Sequence, residues 1–207
     1  MARELLNAAD FDRLTATIGR AEAATAGEIA LVVSQRSDAY VLERLRWVLP
    51  IAALGCLGTQ ALWPAMSGFW VTFTSIAVGI NLYLLSGLGP CLRRLVPTSA
   101  IATQVHLACL RFFTERAVYR TRDQSGILLY VSEAEHRIEV LADEGITSRV
   151  APDLWQAHVT ELAQALRQGQ AADGLCREIE ALGELLATHF PADATNPNEL
   201  DNRPHRA

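Results

Sequence analysis

The fold is decided by the stretch RTRDQSGILLYVSEAEHRIEVLADEGI, residues 120–146. Its continuous apolar run, residues 126–131, is typical of a strand that is buried on both faces. A short polar turn at residues 133–136 leads into a second apolar segment, residues 137–142. Because so short a turn joins them, we expect these two strands to pair antiparallel. The stretch therefore predicts a hairpin at the centre of a buried sheet.

A third strand is predicted much earlier, at residues 28–35, where EIALVVSQ is again almost entirely apolar. Helices are predicted around these strands from apolar residues at helical spacing, with Asn7 or Asp10 capping the first helix and Asp173 the last. The apolar stripes are Phe11, Leu14, Ile18 and Ala21; Ile101, Val105, Cys109 and Phe112; Trp155, His158, Val159, Leu162, Ala165 and Leu166; and Leu175, Ile179, Leu182, Leu185 and Leu186.

Two long segments between the first and second strands carry no charged residue. They are residues 47–66 and residues 69–92, joined by the short link PAMSG. A helix of about 20 apolar residues crosses a hydrocarbon core of about 30 Å. Tryptophan and tyrosine lie near the expected helix ends, as they do at membrane interfaces. The pattern predicts a transmembrane helical hairpin, so the lipid bilayer is the first predicted partner.

Arginine residues lie on both outer flanks of this hairpin. Arg44 and Arg46 precede the first segment, Arg93 and Arg94 follow the second, and the link between the segments has no charge. The positive-inside rule places arginine-rich flanks in the cytoplasm. We therefore expect a bacterial inner-membrane protein with two spans and with its N- and C-termini in the cytoplasm.

The soluble elements are split by the hairpin, and neither half has enough strands for a stable sheet. We therefore expect the strand at residues 28–35 to join the two later strands. The predicted fold class is α/β: a small mixed β-sheet flanked by helices, an α/β/α sandwich, interrupted by a two-helix transmembrane hairpin. Residues 1–43 and 95–191 form the two parts of this domain, residues 44–94 the hairpin, and residues 192–207, polar and rich in Pro and Asn, a disordered tail.

Composition excludes several classes of protein. The formal net charge is −5, and no dense basic patch occurs, which argues against nucleic-acid binding. The four cysteines, Cys56, Cys91, Cys109 and Cys176, form no CxxC pair. The sequence therefore predicts neither a disulfide framework nor a zinc site.

Several strings, in this order, resemble the TPM domain family: GEIALVVS, then residues 119–146, then LAQALRQGQAADGLCREIEALGELLATHFP, then NEL near the end. The resemblance is closest to bacterial membrane-anchored members. It implies an α/β/α sandwich with a small mixed sheet, and phosphatase activity and calcium binding have been proposed within the family. The typical member holds its domain outside the cytoplasm, whereas this arginine pattern places the domain inside.

In this family, acidic residues at strand ends are the candidates for a cation or phosphate site. The matching positions here are Asp123 and Asp143 with Glu144. Glu28 opens the remaining strand, and we expect it at the same edge as a further candidate. Because the far ends of two paired strands lie side by side, Asp123 and Asp143 are expected to be neighbours. Such oxygen ligands suit Ca²⁺ or Mg²⁺. The alternative, which the sequence favours, is that these acids cap helices and solvate turns.

No complete catalytic motif is present: the sequence contains no Cys-x₅-Arg, no P-loop and no HExxH. The favoured hypothesis is a non-catalytic, membrane-tethered interaction module that binds a membrane-associated protein partner at the cytoplasmic face, in assembly or quality control. The alternative is a divalent-metal-dependent phosphatase that uses the acidic strand ends.

Overall fold

The computed structural model describes residues 6–150, 160–162, 164–166, 168–192 and 197–207. By contacts, the chain divides into two compact units. We call residues 1–37 with 104–207 the α/β unit, and residues 38–103 the hairpin unit. The elements in chain order are α1 (Ala8–Glu22), β1 (Glu28–Ser34), α2 (Val41–Leu62), α3 (Gly68–Ser86), α4 (Gly89–Leu95), α5 (Thr98–Glu115), a 3₁₀ turn (Val118–Arg120), β2 (Gly126–Ser132), β3 (Arg137–Ala142), α6 (Glu144–Thr147), α7 (Ala171–His189) and β4 (His205–Arg206).

The sheet of the α/β unit has four strands in the order β3-β2-β1-β4. Strand β1 pairs in parallel with β2, from Glu28 opposite Gly126 to Ser34 opposite Ser132. Strand β3 pairs antiparallel with β2, which confirms the predicted hairpin. The prediction that the strand before the apolar segments joins the strands after them is also confirmed, because β1 lies directly beside β2.

The parallel pairing of β1 and β2 explains how the hairpin unit can be inserted here. Two parallel strands cannot be joined by a tight turn and need a crossover of a dozen or more residues, usually containing a helix. Between β1 and β2 the chain forms the hairpin unit, which includes the start of α5, and then the rest of α5. The insertion therefore lengthens a connection that has to be long in any case and leaves the sheet intact.

The sheet is covered by helices on both faces, which confirms the α/β/α sandwich. On one face, alternate residues of β1 and β2 pack with α1 and α7. This core includes Leu14, Ile18, Ile29, Leu31, Val33, Ile127, Leu129, Val131, Leu175, Ile179, Leu182 and Leu186. On the other face lies α5, whose Phe112 ring stacks on the ring of Tyr130 at 5.7 Å between centroids. Both strands are buried along their whole length, as their apolar runs predict.

The first helix has the predicted cap, whereas the last helix does not. Asn7 caps α1 in a reciprocal capping box with Asp10. Helix α7 begins at Ala171, two residues before the predicted cap Asp173. The Asp173 carboxylate instead lies 2.6 Å from the Arg13 guanidinium of α1. The predicted helix after Pro152 falls partly outside the described residues; residues 160–162 and 164–166 are helical.

The hairpin unit contains two helices that are long and apolar enough to cross a membrane, α2 and α3. Their ends differ from the predicted segments. Helix α2 begins at Val41, well before Trp47, and α3 ends at Ser86 rather than Leu92. The chain breaks there because Pro90 starts a separate short helix, α4. A proline disfavours helical geometry in the residue before it and suits the first turn of a new helix.

Arg44 joins α2 to the end of α3 within the hairpin unit. Its guanidinium donates hydrogen bonds to the Ser86 hydroxyl at 3.0 Å and to the Tyr83 carbonyl at 2.5 Å. It also lies 4.0 Å from the centre of the Tyr83 ring. The last carbonyls of a helix have no partner within the helix and carry partial negative charge. Arg44 therefore stabilises the C-terminal end of α3.

The predicted disorder of the C-terminal tail is wrong for residues 197–207, which we call the strap. Strand β4 of the strap pairs in parallel with β1, with Val32 opposite His205. The Ala207 amide donates to the Val33 carbonyl at 3.0 Å. The strap thus covers the outer edge of β1, an edge that would otherwise expose unpaired backbone groups. Local composition did not indicate this because the contacts are made with a distant strand.

Replacing Leu31 by alanine tests the pairing of β1, which precedes the hairpin unit, with β2, which follows it. Leu31 is 3% exposed, and a buried Leu→Ala change costs about 2–5 kcal/mol. Because β1 pairs with β2, we expect faster hydrogen exchange in residues 126–132, which lie nearly one hundred positions later. The matched control is Leu107→Ala, at a side chain that is 50% exposed. Unchanged exchange in β2 with Leu31→Ala would contradict the pairing.

Candidate functional site

The four acidic residues predicted for the site lie along one edge of the sheet. Glu28 starts β1 opposite Gly126, which starts β2. The Asp143 amide, just after β3, donates to the Gly126 carbonyl at 2.9 Å. Gly145 packs so closely against the Asp123 backbone that a Cβ there would overlap the Asp123 carbonyl oxygen. The sequence therefore brings Asp123 and the segment after β3 together, as expected.

The side chains of these acidic residues, however, make different contacts and do not converge on one point. Asp143 caps the short helix α6 by accepting a hydrogen bond from the Glu144 amide at 2.8 Å. Glu144 is exposed, and Asp123 is exposed beside the Arg122 guanidinium at 3.6 Å. These contacts agree with the alternative in which the acidic side chains cap helices and solvate turns. Among the described residues, no three His, Cys, Asp or Glu side chains are grouped so that they could hold a metal ion.

Glu28 is buried, and its carboxylate holds the strap. One oxygen accepts a hydrogen bond from the Glu199 amide and the other from the Leu200 amide, each at 3.2 Å. The Glu199 side chain in turn accepts from the Arg122 amide at 2.9 Å. Hydrogen bonds to a charged acceptor are the stronger kind. Glu28 therefore adds two side-chain contacts to the backbone pairing that binds the C-terminal segment.

A second buried acid, Glu22, lies next to Glu28 and was not predicted. It is the last residue of α1 and is 6% exposed. Its Oε1 accepts a hydrogen bond from the Ile29 amide at 2.8 Å. Its Oε2 is buried, and the Asn202 side chain lies beside the carboxylate. The two acids share a pocket of about 280 Å³ that is lined by Gly19, Glu22, Ala23, Glu28, Asn198 and Asn202.

Burial controls the ionisation of this pair. Burial, together with the nearby Glu28 charge, raises the pKa of Glu22 to about 8, against the opposing hydrogen bonds from the Ile29 amide and the Asn202 side chain. Burial also raises the pKa of Glu28, which the two strap amides oppose. A buried carboxylate without a cation favours its neutral form. At neutral pH, Glu22 therefore holds a proton.

Glu22 could have been found from the helix pattern. It follows Leu14 and Ile18 at intervals of four residues, so it lies on the apolar stripe of α1 that faces the core. An acid on such a stripe is unusual and indicates a polar pocket. Asn198 and Asn202 were missed for another reason, because they belong to the tail that was predicted to be disordered.

Comparison with known proteins agrees with the fold and with the predicted resemblance. The family model described as "TPM domain" matches residues 97–185. The NMR structure of the BA42 protein from the psychrophilic bacterium Bizionia argentinensis is similar, with a TM-score of 0.63 and 19% sequence identity. The match covers 100% of this chain and 99% of that one, and at this identity it shows the fold alone. Among curated proteins, none matches.

Glu22→Gln tests the buried acid through the pH dependence of stability. The folded-state pKa of about 8 lies above the ordinary 4.5. Between these values the folded protein keeps a proton that the unfolded chain has released, so stability falls as pH rises. The slope is at most about 1.4 kcal/mol per pH unit. We expect the glutamine variant to lose this slope, measured by urea unfolding of the detergent-solubilised protein from pH 5 to 8.

The control for this experiment is Glu180→Gln. Glu180 lies on the neighbouring helix α7, is about half exposed, and pairs with Arg20 on the surface. Its removal is expected to shift stability slightly and equally at each pH, as exposed ion pairs contribute little. Parallel pH profiles for the wild type and Glu22→Gln would show that Glu22 is not a buried, protonated acid.

Proposed function

We propose that this chain, whose residues 97–185 match the TPM domain family model, is a membrane-tethered, non-catalytic binding module at the cytoplasmic face of a bacterial inner membrane. In this proposal the hairpin unit spans the bilayer and the α/β unit binds a membrane-associated protein partner, in assembly or quality control. The observation that carries the proposal is the apolar surface of α2 and α3.

That surface is extensive. The exposed fractions of Leu54, Leu62 and Phe69 are 68%, 72% and 71%. A monomeric soluble protein rarely exposes a large contiguous apolar patch, because water contact costs about 25 cal/mol for each Å². A bilayer removes that cost, and helices satisfy their own backbone hydrogen bonds in lipid. Both helices have the length that a membrane span needs.

The orientation follows from the arginine residues. Arg46 near the start of α2, and Arg93 and Arg94 in α4, flank the hairpin, whereas residues 63–67 between the helices carry no charge. Arginine-rich flanks stay in the cytoplasm. The α/β unit, which is formed from chain on both flanks, would then lie in the cytoplasm with both termini.

Support for a non-catalytic role comes from the polar groups near the sheet edge. The Thr121 hydroxyl accepts a hydrogen bond from the Ser125 amide, and the Ser125 hydroxyl donates to the Ala26 carbonyl, each at 2.9 Å. Both side chains are buried. Burial raises the pKa of Cys109 to about 12, so its thiol stays protonated. An activated nucleophile needs a neighbouring base or a lowered pKa. Among the described residues, the hydroxyl groups of Thr121 and Ser125 are bonded to backbone groups rather than to a base, and the pKa of Cys109 is raised rather than lowered.

The alternative is a divalent-metal-dependent phosphatase. It would use a metal-bound water, so the acidic edge around Glu28 and Asp143 is the place where such chemistry would occur. The capping role of Asp143 and the strap bound by Glu28 engage both carboxylates in structural contacts. The binding module therefore has the stronger support.

Thiol labelling tests the tether and its orientation. In a chain whose four cysteines are replaced by alanine, we would introduce Ser67→Cys, between the two helices, or Ser99→Cys, after the hairpin. We expect a membrane-impermeant maleimide to label the first variant in intact spheroplasts and the second only after lysis. Both proteins are expected in the membrane fraction after alkaline extraction. The reverse labelling would overturn the orientation, and extraction into the soluble fraction would overturn the tether.

Phosphomonoester turnover tests the non-catalytic role. With Ca²⁺ or Mg²⁺ present, we expect the purified protein to hydrolyse p-nitrophenyl phosphate no faster than buffer. Asp143→Asn is the matched variant, because the asparagine oxygen can still cap α6 while the charge is removed. Turnover by the wild type that falls at least about tenfold in this variant would favour the phosphatase instead.

A further inference from the structure

The hairpin unit contains a groove between its two long helices. The residues that line the groove lie within 45–56 of α2 and 72–83 of α3, and its volume is about 550 Å³. The lining is almost wholly apolar. Where hydroxyl groups occur, at Thr72 and Ser75, they donate to carbonyl groups of their own helix at 2.8 and 2.7 Å. Because these polar groups are already bonded within α3, the groove suits a hydrocarbon ligand.

The length of the groove matches one leaflet of a bilayer. Each wall extends over eleven residue steps, and a helix rises 1.5 Å per residue, so the groove is about 16 Å long. The hydrocarbon core of a bilayer is about 30 Å thick, so the groove covers about half of it. A transmembrane helix of another protein is about 10–12 Å wide and runs through the whole core. A single acyl chain of one leaflet therefore fits the groove better than a helix does.

Two arginine residues of α2 lie at one end of the groove. Arg46 precedes Leu49 and Ala53 by three and seven residues, so it lies on the helical face that lines the groove. Side chains of a helix lean towards its N-terminus, which is this end of α2. The Arg44 guanidinium lies 4.0 Å from the centre of the Tyr83 ring, and Tyr83 lines the groove at the same end.

Arg44 is a buried cation whose hydrogen-bond partners are neutral. It is 6% exposed and donates to the Ser86 hydroxyl and to the carbonyls of Ala39 and Tyr83. Within the described part of the chain, no carboxylate forms an ion pair with Arg44 or Arg46. The hairpin unit also has four arginines against two acidic residues, so its net charge is positive. A buried charge is stabilised by an opposite charge, and this end of the groove therefore attracts an anion.

We propose that the groove binds one anionic phospholipid of the cytoplasmic leaflet, with an acyl chain between α2 and α3 and the phosphate at Arg46. The Arg46 guanidinium donates charge-assisted hydrogen bonds to the phosphate, and the positive charge of Arg44 attracts it as well. The inference rests on the proposed function, because the groove meets lipid only if the hairpin unit spans the bilayer. It goes further than a tether, since any lipid covers apolar helices whereas this site requires a negative headgroup joined to an acyl chain.

Native mass spectrometry of the purified full-length protein, delipidated in detergent, tests the site. The probes are phosphatidylglycerol, phosphatidylcholine with the same acyl chains, and glycerol 3-phosphate, which has the anionic group without the chains. We expect one phosphatidylglycerol per chain, bound about tenfold more tightly than phosphatidylcholine, and no binding of glycerol 3-phosphate. Equal affinity for the two lipids, or binding of glycerol 3-phosphate as tight as that of phosphatidylglycerol, would overturn the proposal.

Arg46→Gln tests the headgroup contact at an exposed side chain. We expect about tenfold weaker binding of phosphatidylglycerol and unchanged binding of phosphatidylcholine, because only the anionic lipid uses the charge. Arg46→Lys, which keeps the charge, should retain most of the affinity. The matched control is Arg94→Gln, at an exposed arginine of α4 outside the groove, which should match the wild type. Equal losses in Arg46→Gln and Arg94→Gln would indicate diffuse attraction to a positive surface and would contradict a defined site.

Ala53→Phe tests the acyl-chain contact by filling the groove from an exposed position on α2. We expect about tenfold weaker binding of both lipids, since the apolar surface that the chain would bury is taken by the ring. The matched control is Ala61→Phe, which is also exposed on α2 but lies outside the groove and should match the wild type.

The same spectra distinguish a lipid from a second copy of the chain as the occupant. An oligomer of the wild type that Ala53→Phe dissociates, with lipid binding unchanged, would make the groove an interface between copies and would overturn the proposal. Failure of the lipid site leaves the protein in the membrane fraction with its thiol labelling unchanged. Failure of the tether would instead release the wild type into the soluble fraction, so the two results can be told apart.

Discussion

The hydrogen bonds between β1 and β2 are the constraint on which the rest of the structure depends. Seven residues before the hairpin unit lie in parallel register with seven residues after it. A parallel pair requires a long connection, and this is why two long apolar helices can be accommodated between the strands. The sheet also cannot close until residues 126–132 have been synthesised, so the hairpin unit is complete before β1 finds its partner.

The pairing of β1 with β2 also determines which acidic residues lie together at the edge of the sheet where these two strands begin. Because Glu28 begins β1 opposite Gly126, it lies beside the segment that leaves β3 at Asp143. The connection from α1 to β1 is only five residues long, so Glu22 at the end of the helix is brought to the start of the strand. The strap then runs along the free edge of β1 and closes over both acids. The pocket is thus formed by two segments that are far apart in sequence, residues 19–28 and the strap.

Much of this arrangement was predictable from sequence, and the exceptions have physical causes. Continuous apolar runs identify β1 and β2, because strands buried on both faces need apolar residues throughout. Apolar content cannot locate helix ends, since a helix ends where its backbone hydrogen bonds stop; Pro90 divides a segment that composition alone presents as continuous. Composition also failed to predict the structure of the strap, because its contacts are made with distant residues such as Glu28, 171 residues away from Glu199.

The acidic pocket was missed because burial is a property of the folded chain. Asp123 and Asp143 can be recognised at the strand ends, yet their side chains are occupied by a neighbouring arginine and a helix cap. Glu22 sits within an apolar stripe, where its charge is visible in the sequence but its environment is not. In the folded protein, burial and the neighbouring Glu28 charge favour its protonated form. Glu28 differs from Glu22 because both of its carboxylate oxygens accept backbone amides of the strap, so one buried acid is held by the helix end and the other joins the sheet to the C-terminal segment.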